Sequence, residues 1–156
     1  MHYQTRLIAA HEHGAVAQLW HDAWHEAHAP HVPAELTAIR SLPAFLHRIA
    51  DMGDRACTIG PEGVPLGLCA INGRQMEQLF VASAARGTGV AAALLTDAEE
   101  RMRAAGVVSA YLDCIPQNTT AVRFYEKMGW SSTGIHPVTL NGAITLDCIV
   151  FTKPLS

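Results

Sequence analysis

Between Arg74 and Cys114 the hydrophobic period changes from two to 3.6 and back to two, with glycines at both joints. Arg74–Val81 reads as a strand, Gly89–Ala105 as an amphipathic helix and Val107–Cys114 as a strand again. Such a run must cross over the sheet, so its two strands are predicted parallel and the crossover right-handed. Val90, Leu94, Leu95, Ala98 and Met102 make the buried stripe of the helix. Glu99 and Arg103 are expected to pair at i,i+4 on its wet side. Gly106 ends the helix in the usual left-handed position.

The chain before this run has a different grammar. Tyr3–Ala10 reads as a first strand, with Leu7 and Ala9 on one face. Gly14–His28 has helical spacing through Val16, Leu19, Trp20, Ala23, Trp24 and Ala27. Pro30 to Pro33 breaks it, and Ala34–Ile39 forms a short helix. Ser41 caps another helix, with Pro43 in its first turn and its end near Met52-Gly53. Ala56–Ile59 and Leu66–Ile71 follow as strands, and Asn72-Gly73 is a strong hairpin signal into Arg74–Val81. After the crossover, Thr119–Met128 is a helix closed by Gly129. Trp130–Thr133 and Ile144–Thr152 are final strands, joined by a loop around Pro137 and Asn141-Gly142. The fold class is therefore α/β: a mixed central sheet, antiparallel in its N-terminal meander and parallel in the middle, flanked by helices.

Composition narrows the function. At 156 residues, 49% of them hydrophobic, residues 1–156 are expected to form a single globular domain. The net charge is −3 and no Lys/Arg cluster is present, which argues against nucleic acid. No apolar run approaches the about 20 residues of a bilayer span. The stretch Met1–Arg6 lacks a signal-peptide core, so a cytoplasmic setting is expected. Cys57, Cys69, Cys114 and Cys148 lie apart in apolar strands and read as buried free thiols.

Arg86-Gly87-Thr88-Gly89-Val90-Ala91 joins a strand to a helix N-terminus. Helix N-termini carry unpaired N–H groups and partial positive charge, so the loop is either an anion site or a tight turn. It is not a Walker loop, because no G-K-[ST] follows. It is not the dinucleotide fingerprint, because Ala92 stands at the third glycine position. Arg86-x-x-Gly89-x-Ala91 resembles the Q/R-x-x-G-x-G/A cofactor signature of the GNAT acetyltransferases, and Glu77–Val81 is similar to the strand that leads into it. Asn118-x-x-Ala121-x-x-Phe124-Tyr125-Glu126-Lys127-x-Gly129-Trp130 resembles the family's second segment, and comes in the family's order. On spacing alone, Phe124 and Tyr125 also fit plain core packing.

The resemblance implies transfer of an acetyl group from acetyl-CoA to a primary amine of a small molecule or peptide, by direct attack in a ternary complex. A bulge or splay near Leu79, Phe80 and Val81 would let pantetheine lie along exposed backbone. The amide of Phe80 or Val81 would polarise the thioester oxygen. Arg86, Gly87, Thr88, Gly89, Val90 and Ala91 would hold the diphosphate, and Asn118, Ala121 and Phe124 would touch the cofactor. Lys127 either reaches a phosphate or is an ordinary surface lysine. Tyr125 resembles the tyrosine that protonates the departing thiolate. Glu77 is the candidate base, directly or through a water, or else an exposed strand carboxylate.

Trp20, Trp24 and His28 are candidate acceptor contacts, because the early helices usually shape that pocket in the family. His21, His25 and His28 share a helical face, yet no neighbouring ligand set completes a metal site, and none is expected. The acidity of Asp22, Glu26 and Glu35 is compatible with a cationic acceptor. A homodimer is left open. A non-catalytic acyl-CoA sensor of the same fold is the alternative to an enzyme.

Overall fold

Strand alternation divides the side chains of one sheet between two helical layers. A computed structural model describes residues 3–156, so Met1 and His2 of the N-terminal stretch lie outside it. The strands are β1 (Thr5–Leu7), β2 (Ala56–Ile59), β3 (Gly67–Asn72), β4 (Gln75–Val81), β5 (Ser109–Cys114), β6 (Ser131–Leu140) and β7 (Ile144–Pro154). Their order is β1-β2-β3-β4-β5-β7-β6. β4 and β5 run parallel, and every other neighbouring pair is antiparallel. This is the mixed sheet that the crossover predicts.

The helices are α1 (His13–His28), α2 (Ala34–Ile39), α3 (Leu42–Met52), α4 (Val90–Ala104) and α5 (Thr119–Lys127). Leu68 and Ala70 of β3 join a core with Trp20 of α1 and Phe45 of α3. Cys69, between them, joins Leu94, Leu95 and Met102 of α4 on the opposite face. The expected stripe of α4 is buried throughout. Ser41 caps α3 as read, its Oγ accepting from the Ala44 amide at 3.3 Å. All four cysteines are buried and free.

Two local readings need correction. Glu99 does not pair with Arg103 on a wet face. It is buried, and it accepts from Lys153 Nζ at 2.7 Å and Trp130 Nε1 at 3.2 Å. Arg103 Nε donates to the Leu155 carbonyl at 2.6 Å instead. The C-terminal end of the chain covers this side of α4, a contact that helical spacing cannot foresee. Pro137 does not lie in a loop either. It sits within β6, opposite Asp147. β6 is an edge strand, where a residue without an N–H is tolerated on the free side. The turn is confined to Asn141-Gly142, both with positive φ.

Glu12 anchors the other end of the sheet. It is fully buried and takes a two-pronged contact from Arg6 at 2.6 and 2.7 Å. It also accepts from the amides of Ala9 and Gly63. The Arg6 hydrogen bonds hold its carboxyl well below the usual range, at about 2.

Candidate active site

The parallel pair is barely a pair. β4 meets β5 only at Gln75 opposite Tyr111, where the Tyr111 amide donates to the Arg74 carbonyl at 3.0 Å. From Glu77 to Val81 the edge of β4 that faces β5 has no strand beside it. On its other edge, Ala70 opposes Gln78 while Ile71 opposes Met76, so Glu77 is the extra residue of a bulge. The distortion therefore starts two residues before the expected Leu79–Val81. The open edge still covers that segment.

The open strand leads directly into the loop. Gly87 and Gly89 have φ of 76° and 86°, a region that a side chain disfavours, and Gly89 is the N-cap of α4. The amides of Gly87, Gly89, Val90, Ala91 and Ala92 have no acceptor among the described residues. Five donors at one helix start form a cradle suited to a diphosphate. Thr88 is exposed and, unlike its neighbours, does not line the cleft: its amide and its hydroxyl both donate to the Ala85 carbonyl. The Arg86 side chain swings away from the cradle and grips Glu26 of α1 at 2.6 and 2.9 Å. Both partners are exposed, so this contact ties α1 to the loop without adding much stability.

A cleft of about 920 Å³ opens over this surface. Its walls include Leu79, Phe80 and Val81 of β4, Arg86, Gly87, Gly89, Val90 and Ala91 of the loop and α4, and Asn118, Ala121, Phe124, Tyr125 and Lys127 of α5. Asn118 Oδ1 accepts from the Ala121 amide at 3.3 Å and caps α5, which leaves its Nδ2 free to donate. Tyr125 is held by Phe124, Trp130 and Phe151. Burial raises its phenol well above the ordinary value, with Cys114 and Cys69 adding to the effect. The phenol is therefore protonated near neutral pH, and its hydroxyl is available to donate.

A second chamber, about 440 Å³, lies across the split between β4 and β5. The two cavities share Glu77, Gln78, Phe80, His28 and Asp113 in their walls. Glu77 Oε2 is taken by Arg55 Nη1 at 2.6 Å, which leaves Oε1 for a water or a ligand. Burial raises the Asp113 carboxyl above its ordinary range. His28 stacks on Trp24 at 5.4 Å, and burial lowers its imidazole to about 4, so it is neutral. Trp24 lines this chamber. Trp20 does not: it is fully buried between Phe45 and Phe80 and belongs to the core.

The remaining histidines have local partners. His21 Nδ1 lies 3.0 Å from Asp22, and His25 Nε2 donates to the Arg40 carbonyl at 2.7 Å. No group of three or more metal-ligating side chains occurs among the described residues.

Comparison with known proteins places this architecture. The model of the acetyltransferase (GNAT) family matches residues 15–130. The chain belongs to the GNAT family. A curated relative, acetyltransferase Atu2258 of Agrobacterium fabrum, is 39% identical over 71 residues, 45% of this chain. The chain spans about half the length of that relative. Among solved structures, a GCN5-related N-acetyltransferase from Rhodopseudomonas palustris superposes with a TM-score of 0.78 at 19% identity, covering 99% of this chain and 96% of that one. The acetyltransferase yncA from Salmonella typhimurium, solved with its cofactor acetyl-CoA, gives 0.69 at 16% identity, covering 100% and 95%. At these identities the structures speak for the GNAT fold. No helix among the described residues of this GNAT chain is long and apolar enough to cross a membrane.

Three side chains of the site escaped the sequence reading. Asp113 looked like one more residue of a regular strand. It matters because β5 parts from β4 beside it. Arg40 and Arg48 sit on the short helical segments that seemed only to frame the fold, and both line the second chamber. Asp22 and Glu35 line neither cavity, and Glu26 lines only the first cleft.

Proposed function

We propose that the chain transfers the acetyl group of acetyl-CoA to a primary amine by direct attack in a ternary complex. The observation that carries this reading is the open edge of β4, which runs without a strand partner into the five-amide cradle. A linear pantetheine can lie along that edge as a strand would, with the diphosphate in the cradle. Asn118, Ala121 and Phe124 line the same cleft and would flank it.

The thioester would then lie at the split, where its oxygen can accept from the amide of Val81. The Phe80 amide, in register with the Ala82 amide that donates to the Leu66 carbonyl, is turned toward β3. Attack by the amine nitrogen forms the C–N bond, and collapse breaks the C–S bond. Tyr125 lies in the cleft wall and supplies the proton to the departing thiolate. The attacking amine loses its proton to a carboxylate on the shared wall. Glu77 is one acceptor, through a water on Oε1. Asp113 is the other, and its raised pKa brings it nearer to neutral pH.

The test is thiol release from acetyl-CoA over a broad panel of amines, with the acetylated product weighed by mass spectrometry. Release together with an N-acetyl product is expected. Tight CoA binding without release from any amine would instead favour a non-catalytic sensor. Absence of CoA binding would remove the cofactor assignment itself.

A further inference from the structure

The second chamber is lined by two arginines, Arg40 and Arg48, and Glu77 acts on Arg48 only through space. Arg40, at the C-terminal end of α2, is 7% exposed, and its buried Nε has no hydrogen-bond partner. Its guanidinium lies 5.9 Å from the ring centre of Trp24. Arg48 of α3 lies 4.5 Å over Trp20. Neither has a carboxylate within bridging distance among the described residues, whereas Arg6, Arg55 and Arg86 each grip one. Burial lowers the pKa of both, Arg48 to about 10, and leaves both charged at neutral pH.

A buried cation without a counter-charge costs free energy unless something completes it. The aromatic faces beneath the two groups offset part of that cost. They cannot accept the in-plane hydrogen bonds that a guanidinium makes to a planar anion. The same chamber also has carboxylates in its lining: Glu77 and Asp113, at the wall shared with the cofactor cleft. Val32, Leu36 and Leu146 supply apolar lining.

We propose that the acceptor is an amino carboxylate, its amine beside the carboxylates Glu77 and Asp113 and its carboxylate held by Arg40 and Arg48. This inference rests on the acetyl-transfer reading for the identity of the chamber as an acceptor site. The apolar lining from Val32, Leu36 and Leu146 suits a hydrocarbon side chain, so free amino acids with apolar side chains are the class to try first. The expected preference is the reverse of the cationic one that Asp22, Glu26 and Glu35 alone would support.

The experiment compares L-leucine, L-methionine and L-phenylalanine with their carboxamides. Binding to the CoA-loaded protein is followed by tryptophan fluorescence, since Trp24 lines the chamber. Thiol release is measured in parallel. The free acids are expected to bind about ten- to a hundredfold more tightly than the carboxamides, the range of charged hydrogen bonds. Arg48→Met and Arg40→Met should each shrink that ratio. If Arg40→Met fails to fold, Arg48→Met and the ratio in the unaltered protein still decide. Equal binding of acids and carboxamides would overturn the clamp, even with thiol released from other amines. A clear acid preference without thiol release from any amine would support the clamp and overturn acetyl transfer.

Discussion

The cofactor cleft and the acceptor chamber share a wall but are built in opposite ways. The cleft is made mainly of backbone. Its donors are the amides of residues 87 and 89–92, and its open edge is a strand that has lost its neighbour. The chamber is made of side chains from α1, α2, α3, β4, β5 and the β6–β7 hairpin. A backbone site demands particular conformations at consecutive positions, so it leaves a contiguous signature such as Arg86-x-x-Gly89-x-Ala91. A side-chain site needs only that distant residues converge, and it leaves none. Within one GNAT domain the cofactor half is therefore constrained by local chain geometry, while the acceptor half is free to vary.

The largest effect should come from attacking the backbone site. Gly89→Glu puts a side chain at φ of 86° and a negative charge beside the cradle. A Cβ at this position meets nothing within 4 Å, so strain and charge, not crowding, are the cause of the loss. Calorimetry should show CoA binding weakened by more than about a hundredfold, since left-handed strain and charge repulsion act together. Retained binding would break the distinction between the two halves. Next comes Tyr125→Phe. It should lower kcat by about a hundredfold, the low end for a general acid, and leave the Kd for CoA nearly unchanged. An unaltered kcat would take the proton-donor role from Tyr125 and leave it a core aromatic.

Much of the fold was legible because its punctuation is local. The Ser41 cap and the Gly106 and Gly129 stops fall where the residues demand them, and the hairpin after β3 turns at Gly73-Arg74, one residue later than Asn72-Gly73. What escaped was set by packing between distant segments. Glu99 looked like a surface carboxylate until β7 brought Lys153 against it. Trp20 and Trp24 lie one turn apart on the same helix. Phe45 and Phe80 enclose the first and the chamber receives the second, a difference that spacing cannot encode. Arg40 and Arg48 were illegible for the same reason. Nothing in their neighbourhood in the chain announces that burial will leave them without a carboxylate.

A smaller effect probes the wall that the chamber and the cleft share, where His28 stands. Burial lowers the folded pKa of His28 from an ordinary 6.5 to about 4. Between those values the unfolded chain binds a proton that the folded chain does not, so stability rises with pH through this window. It is complete above about 6.5, and falls by at most about 3 kcal/mol as pH drops toward 4. Urea titrations at pH 4.5, 5.5 and 7 should show this slope. His28→Gln should flatten it. An unchanged slope in the variant would place the titrating group elsewhere in the molecule.

The smallest expected effect probes Asn118, for which two separable tasks are proposed. Its Oδ1 caps α5, and the residue lines the cofactor cleft, where its Nδ2 would donate to the cofactor. Asn118→Ala removes both and should cost about 1 kcal/mol of stability from the lost cap. Asn118→Asp keeps the acceptor for the Ala121 amide, so the Tm should hold. It removes the donor and sets a carboxylate at the cleft, so the Kd for CoA should rise by a few-fold. If the aspartate variant bound CoA as tightly as the parent, Asn118 would be a cap alone. The cofactor half would then recognise its ligand at this position through the backbone it organises and not through the side chain, which would make the contrast with the acceptor chamber sharper still.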